Sequence, residues 1–133
     1  MQLSIDTGVR TPIYRQLVQQ VREAIARGEL RPEEKLPSVR QLARDLVINP
    51  NTIARAFTEL EREGLIVSRA GVGIFVARRE QQLTKKARKS RLLEMLDLWL
   101  TEAVNLGFSA DEVLEIVTAR AKDFAWQQSS GGG

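Results

Sequence analysis

The sequence predicts an α+β fold, mostly α: an N-terminal winged helix-turn-helix followed by a two-helix C-terminal dimerisation hairpin. Three observations predict it. Two short amphipathic helices with encoded starts and stops lie close together between Ser38 and Gly64. Two β-prone runs, Leu65–Ser68 and Ile74–Ala77, flank the glycine-containing segment Arg69–Gly73. From Leu92 onward the apolar residues form a stripe too wide for one helix pair to bury.

Met1–Arg10 is a short lead-in. Its Leu3 and Ile5 alternate with polar residues, so it either adds a small strand or lies across the core. Thr11 is placed to cap a first helix, and Pro12 to begin it where a missing N–H costs nothing. Ile13, Leu17, Val21, Ala24 and Ile25 then recur at helical spacing, and Gly28 ends the run. This helix reads as scaffold. Its Arg15, Arg22 and Arg27 are solvated unless one of them lies near a polyanion. Glu29–Pro37 reads as a linker, anchored to the core by Leu30 and Leu36.

Ser38 precedes Gln41 by three residues, the spacing of a capping box. Val39, Leu42, Ala43 and Leu46 fall on one face of the helix that follows. Val47–Pro50 turns the chain. Asn49 can cap the next helix with Pro50 at its first position, and Gly64 supplies the left-handed residue that ends it. Ile53, Ala56, Phe57 and Leu60 make the buried face; Asn51, Thr52, Arg55 and Thr58 lie opposite. Two short helices joined by a tight turn are a helix-turn-helix, and a hairpin directly after it is a wing. Side chains of that polar face can donate to phosphates and base edges.

Composition narrows the function. The chain has 133 residues, 43% of them hydrophobic, enough for a packed core. It has no Cys and no His, which removes disulfides, thiolate nucleophiles, imidazole bases and most zinc sites. No paired-carboxylate or phosphate-cradling pattern stands in their place, so no enzyme chemistry, cofactor or metal is assigned. No apolar run approaches the ~20 residues of a membrane span, and the N-terminus lacks a signal-peptide pattern. The expected location is the cytoplasm. The net charge of +3 divides unevenly: residues 1–91 carry +8 and residues 92–133 carry −5. The first part is suited to a polyanion and the second is not.

Between Arg78 and Arg91 the chain turns polar and basic, with Lys85, Lys86, Arg88, Lys89 and Arg91. That strip is either the solvated start of a helix or a phosphate-facing surface beside the wing. Leu92, Leu93, Leu96, Trp99, Leu100, Ala103 and Val104 follow, widened by Met95 and Leu98, until Gly107. Ser109 with Glu112 spells a second capping box, with Phe108 and Val113 at hydrophobic-staple positions. Val113, Leu114, Ile116, Val117, Ala121 and Phe124 are assigned to the last helix. So wide a surface needs a partner, and a two-fold copy is the commonest solution. The expected interface residues are Leu92, Leu96, Trp99, Leu100, Val113, Val117 and Phe124. Domain boundaries are set at 1–79 for DNA binding and 80–127 for dimerisation, with 128–133 as a flexible tail.

The ordered set LPSVRQLARDL, NPNTIARAFTELEREGLI and a wing ending GVGIFV resembles the GntR family of bacterial transcription regulators, most closely its YtrA-type subgroup with short helical C-terminal regions. The resemblance covers about the first eighty residues. It implies a dimeric DNA-binding regulator, most often a repressor, on a palindromic operator, localised to the nucleoid when DNA-bound. It implies backbone or base contacts from Ser38 and Arg40. Asn49, Pro50, Asn51 and Thr52 match the start of a recognition helix entering the major groove, with Arg55 one turn on. Arg69, Gly71 and Gly73 match the wing that approaches the minor groove. Pro50 stands where many relatives carry arginine, and Ala54 where many carry another. Asn49, Asn51 and Thr52 therefore have more of the contacts to supply. The alternative from another class is a winged-helix protein-interaction module that does not read DNA. No motif identifies a small-molecule effector, and the C-terminal part is too short for a separate ligand-binding domain.

Overall fold

The computed structural model describes residues 2–78 and 85–126. The chain divides into two compact units, one within Met1–Arg79 and Ala125–Gly133, the other within Glu80–Phe124. The segment 79–84, the expected tail 128–133 and Gln127 lie outside the described residues.

The first unit comprises α1 (Ile13–Ala26), β1 (Lys35–Leu36), α2 (Val39–Leu46), α3 (Pro50–Arg62), β2 (Ile66–Arg69) and β3 (Gly73–Val76). Its sheet has the order β1-β3-β2, antiparallel throughout. The core draws on every element: Leu17, Val18, Val21 and Ala24 of α1, Leu42 and Ala43 of α2, Ile53, Ala56, Phe57 and Leu60 of α3, Leu36 of β1, Ile66 of β2 and Val76 of β3, with Leu30 from the connection. All four apolar positions read on the second helix of the motif are buried. Leu3, Ile5, Val39 and Leu46 pack partly buried around them.

The helix-turn-helix is capped much as its sequence predicts. Ser38 Oγ accepts from the Gln41 N–H at 3.1 Å. This is the Ser half of a capping box, whereas the full reciprocal pair forms at Ser109 and Glu112. Asn49 Oδ1 accepts from the Asn51 N–H at 2.8 Å, and Pro50 opens α3. Gly64 takes φ +78° just after α3.

Several boundaries differ from expectation for local reasons. Helix α1 starts at Ile13 rather than Pro12. Pro12 occupies the N-cap position with ψ 147°, its carbonyl accepting from the Arg15 and Gln16 N–H groups, and no side chain caps the helix. Thr11, preceding a proline, is biased away from helical backbone. The lead-in forms no strand but lies across the core. Gln20 and Gln16 of α1 reach its backbone at Ser4 and Asp6, taking both donor and acceptor at each residue. Conversely the connection Glu29–Pro37, read as a linker, contributes β1, with Lys35 opposite Phe75 and Leu36 opposite Ile74. Strand β2 begins at Ile66, one residue late, because the Leu65 N–H closes the end of α3 on the Leu60 carbonyl.

The second unit is an open helical hairpin of α4 (Lys85–Asn105) and α5 (Ala110–Ala121), whose helices meet near the Gly107 turn, where the Phe108 N–H returns to the Ala103 carbonyl, and do not pack along their length. Helix α5 ends before Phe124, so that residue follows the helix instead of filling it. Buried side chains here are Ala103 and Val113.

Candidate nucleic-acid interface

The core fixes what the surface of the first unit presents. Burial of Ile53, Ala56, Phe57 and Leu60 turns the opposite face of α3 outward, and Asn49, Pro50, Asn51 and Arg55 are all exposed, with Thr52 half-buried. Asn49 commits its side-chain oxygen to the cap, which leaves its NH₂ end for a partner. Helix N-termini favour anions through their unpaired N–H groups. Pro50 lacks one of those donors. Thr58, on the same face, donates its hydroxyl proton back to the Ala54 carbonyl at 2.9 Å and is less suited to outside contacts. Ser38 and Arg40 are exposed at the start of α2.

Arg55 does not extend alone into solvent. Its guanidinium lies 3.9 Å from the centroid of the Tyr14 ring, well within cation–π reach. Arg15 Nε in turn donates to the Tyr14 hydroxyl at 3.0 Å. That hydrogen bond, reinforced by the charges of Arg15 and Arg55, holds the phenol below its ordinary pKa. Tyr14 lies far from α3 in sequence, and helical periodicity on α1 marks only the buried stripe, so sequence reasoning missed it.

The wing carries a second basic surface. Arg69, Gly71 and Gly73 lie in one hairpin, with Arg69 paired to Gly73. The Arg69 guanidinium stacks 4.7 Å from the Phe75 ring. Gly71 at the tip takes φ +75°, which disfavours any L side chain, although space around it is open. Gly73 is constrained by its φ of +143°, and the Lys35 side chain lies close by, with Cε 2.8 Å from where a Cβ would stand, though that flexible chain could move aside. Lys35 therefore runs alongside the wing, a cation in a segment whose sequence predicts a linker. A two-residue strand is too short to show the alternation that would have revealed it. Glu33, at φ +70°, accepts from Arg78 Nε at 2.5 Å. The hydrogen bond and charge of Arg78 hold the Glu33 carboxyl below its ordinary pKa.

The first unit thus carries Ser38, Arg40, Asn49, Pro50, Asn51, Thr52, Arg55 and the wing residues on elements that share one core. The expected interface residues belong to the second unit. Leu92, Leu96, Trp99, Leu100 and Val117 are exposed there, whereas Val113 is buried inside the hairpin beside Ala103 and Phe124 is half-buried beyond α5. Val113 and Phe108, the staple pair, line one small cleft with Trp99, Leu106 and Ile116. Lys85, Lys86, Lys89 and Arg91 are exposed along the first turns of α4. Among the described residues no group of three or more His, Cys, Asp or Glu is placed to hold a metal ion, and no helix is long and apolar enough to cross a membrane.

The bacterial regulatory proteins of the gntR family match residues 13–76, the span from the start of α1 to the end of β3. Over 121 residues the chain is 33% identical to the HTH-type transcriptional repressor YtrA of Bacillus subtilis (strain 168), covering 91% of this chain and 93% of that protein. The chain belongs to the GntR family. Among solved structures this GntR chain is similar along its length to a transcriptional antiterminator from Listeria monocytogenes EGD-e, with a TM-score of 0.75, 28% identity and 98% of each chain covered. Over 58% of its length the chain is similar to 96% of AraR(DBD), solved in complex with operator ORX1, with a TM-score of 0.52 and 26% identity. GntR-family proteins are DNA-binding transcription regulators, and the winged fold with C-terminal helices is the architecture found here.

Proposed function

We propose that this GntR chain is a sequence-specific transcriptional repressor that binds a palindromic operator as a homodimer. The observation that carries the reading is the exposed face of α3, capped by Asn49 and carrying Asn51, Thr52 and Arg55, beside a basic wing tipped by Gly71. In this reading the N-terminal part of α3 enters the major groove, Ser38 and Arg40 contact the flanking backbone, and Arg69 with Gly71 and Gly73 approaches the minor groove. Donors to base edges confer sequence specificity, and cations to phosphate confer affinity. AraR(DBD), a protein of related fold, is solved on an operator, which supports the same use of this surface.

Residues 1–79 act as the DNA-binding unit and 80–127 as the dimerisation unit. Support for the dimer is the number of large hydrophobics that α4 and α5 leave exposed, thirteen from Leu92 to Val117. A two-fold pair would set two recognition helices about one DNA turn, ~34 Å, or a multiple of it apart. Such a protein works in the cytoplasm, on the nucleoid when bound.

The test is a binding titration of full-length protein on duplexes selected from a random library, repeated across salt concentrations. The expected result is enrichment of an inverted repeat and a steep salt dependence. Six to ten phosphate contacts would weaken binding by roughly 10³–10⁵ between 50 and 200 mM salt. Failure to enrich any duplex, or a flat salt response, would overturn the reading.

A further inference from the structure

We propose that Tyr14 is a positioning residue for Arg55, holding the guanidinium of the recognition helix in its DNA-contacting orientation before DNA arrives. This rests on the DNA-binding reading above. Tyr14 stands in the first turn of α1 and Arg55 in the second turn of α3, two helices that pack against each other in the winged unit. The ring is half-buried on the core, and its hydroxyl accepts from Arg15 Nε at 3.0 Å. It is therefore anchored at both its apolar and its polar end. The Arg55 guanidinium lies over it at 3.9 Å.

The chemistry of this contact suits a reader of DNA. A guanidinium has five N–H donors in its plane and none on its faces. Stacking on a ring occupies a face, so it restrains the side chain while leaving the donor edge for a base or phosphate. An ion pair would do the opposite and occupy the donors. The carboxylate placed to do so is Glu59, one turn further along α3. It is engaged instead by Arg62, whose Nε donates to Glu59 Oε2 at 3.2 Å and whose terminal nitrogen pairs with Oε1. Two neighbours thus act on Arg55 in concert: Tyr14 restrains it, and Arg62 occupies the carboxylate that would otherwise compete. A long side chain restrained in advance loses less freedom on binding.

The test is a double-mutant cycle in the full chain. Tyr14→Leu, Tyr14→Phe, Arg55→Ala and the double variant Tyr14→Leu/Arg55→Ala are titrated on a duplex selected from a random library by the wild type. They are then titrated on copies of that duplex altered at each base pair in turn. Tyr14→Phe, which keeps the ring, should bind within about twofold of wild type. Tyr14→Leu should weaken binding by roughly three- to thirty-fold, the span of cation–π strengths from exposed to desolvated sites. On the Arg55→Ala background the same change should cost less than about twofold. Tyr14→Leu should also lose discrimination at the same base pairs as Arg55→Ala. A purely structural role would instead weaken all duplexes evenly and give additive losses, and either result overturns the proposal. Tighter binding by Tyr14→Leu also overturns it, because the ring would then be holding Arg55 away from DNA. Should Tyr14→Leu fail to fold, NMR of the wild type decides. The Arg55 side-chain N–H signal should be displaced by the ring in the free chain and remain so in the complex, and an undisplaced signal overturns the proposal. A selection that enriches no duplex overturns the DNA reading and this proposal together. A successful selection with an additive cycle overturns this proposal alone.

Discussion

The winged unit and the helical hairpin treat apolar side chains in opposite ways. Fourteen buried hydrophobic residues, from Leu17 to Val76, form one cluster in the winged unit. The large hydrophobics exposed between residues 2 and 78 are four separate valines: Val9, Val47, Val67 and Val72. In the hairpin the balance reverses. Ala103 and Val113 are buried, while thirteen large hydrophobics from Leu92 to Val117 are exposed, among them Leu98 at 77% and Val104 at 70%. Scattered exposed valines need no explanation, whereas many large hydrophobics exposed along one pair of helices call for one. The winged unit encloses its own core, whereas the hairpin leaves most of its large apolar side chains exposed.

The largest expected effect breaks the hairpin's side of that contrast. Leu96→Glu puts a charge into the face that a second copy would cover, and an unpaired buried charge is costly. The variant should sediment as a monomer at micromolar concentration and retain its helical content. Joining two half-site contacts in one dimer commonly gains 10²–10⁴-fold, so roughly 3–5 kcal/mol of operator affinity should be lost. A fragment of residues 1–79 should behave alike and bind a lone half-site about as well as the palindrome. A full-length wild type that sediments as a monomer, or a fragment that keeps full affinity, would remove the hairpin from the role of dimerisation element.

The next effect attacks the winged unit where it is strongest. Ile53 is fully buried at 0% exposure between the helices of the motif. Ile53→Ala should lower stability by about 2–5 kcal/mol through lost burial and the cavity left behind. Leu98→Ala, on the exposed hairpin face, should leave the melting of a dilute monomer nearly unchanged and act on the dimer instead. Chemical denaturation of both variants across protein concentrations separates the two. Equal, concentration-independent losses would erase the distinction between a closed core and an open one.

A smaller effect concerns contact rather than folding. Arg40→Ala removes an exposed guanidinium from the second position of α2. Loss of a base contact should cost roughly 1–3 kcal/mol of operator affinity with unchanged melting, while loss of a phosphate contact should weaken all duplexes evenly and make the salt slope shallower by about one. Fluorescence anisotropy at fixed salt and along a salt series distinguishes these. Wild-type affinity in the variant excludes Arg40 from the interface.

The same contrast explains what the sequence revealed. Caps and stops are local chemistry, so Ser38, Asn49 with Pro50, Gly64, Gly107 and the Ser109–Glu112 box are readable from a few residues each. The buried face of α3 is equally plain, because burial on one side of a helix imposes its period on the sequence. What escaped depends on partners distant along the chain. Strand β1 exists because β3 returns beside it, and Lys35 reaches the wing by that pairing alone. Arg55 was legible as an exposed polar residue, but its Tyr14 seat depends on how α1 packs against α3. The wide stripe of α4 showed that something must cover it, while the separation of Val113 from the exposed positions depends on where α5 meets Ala103 of α4 beyond the Gly107 turn.

The smallest expected effect tests whether the winged unit's exposed valines are as incidental as the contrast makes them. Val47 ends α2 in the left-handed region, at φ +54° and ψ +52°, with 89% of its surface exposed. A β-branched residue is a poor occupant of that region, since its Cβ crowds the following carbonyl at a cost of roughly 1–2 kcal/mol. The turn demands the conformation because the Val47 and Ile48 N–H groups close the end of α2 on the Arg44 and Ala43 carbonyls before α3 begins. Val47→Gly relieves the crowding, and the added freedom of the unfolded chain takes back about 0.4–1 kcal/mol. A net gain of about 0.5–1 kcal/mol should raise the melting temperature by roughly 2–8 °C, at the sensitivity of a domain this size. Operator affinity should stay at the wild-type value. An unchanged or lower melting temperature would show that the left-handed valine is not strained. A higher melting temperature with weaker operator binding would show that the Val47 side chain touches DNA, and the exposed valines of the winged unit would then need the same scrutiny as the face of the hairpin.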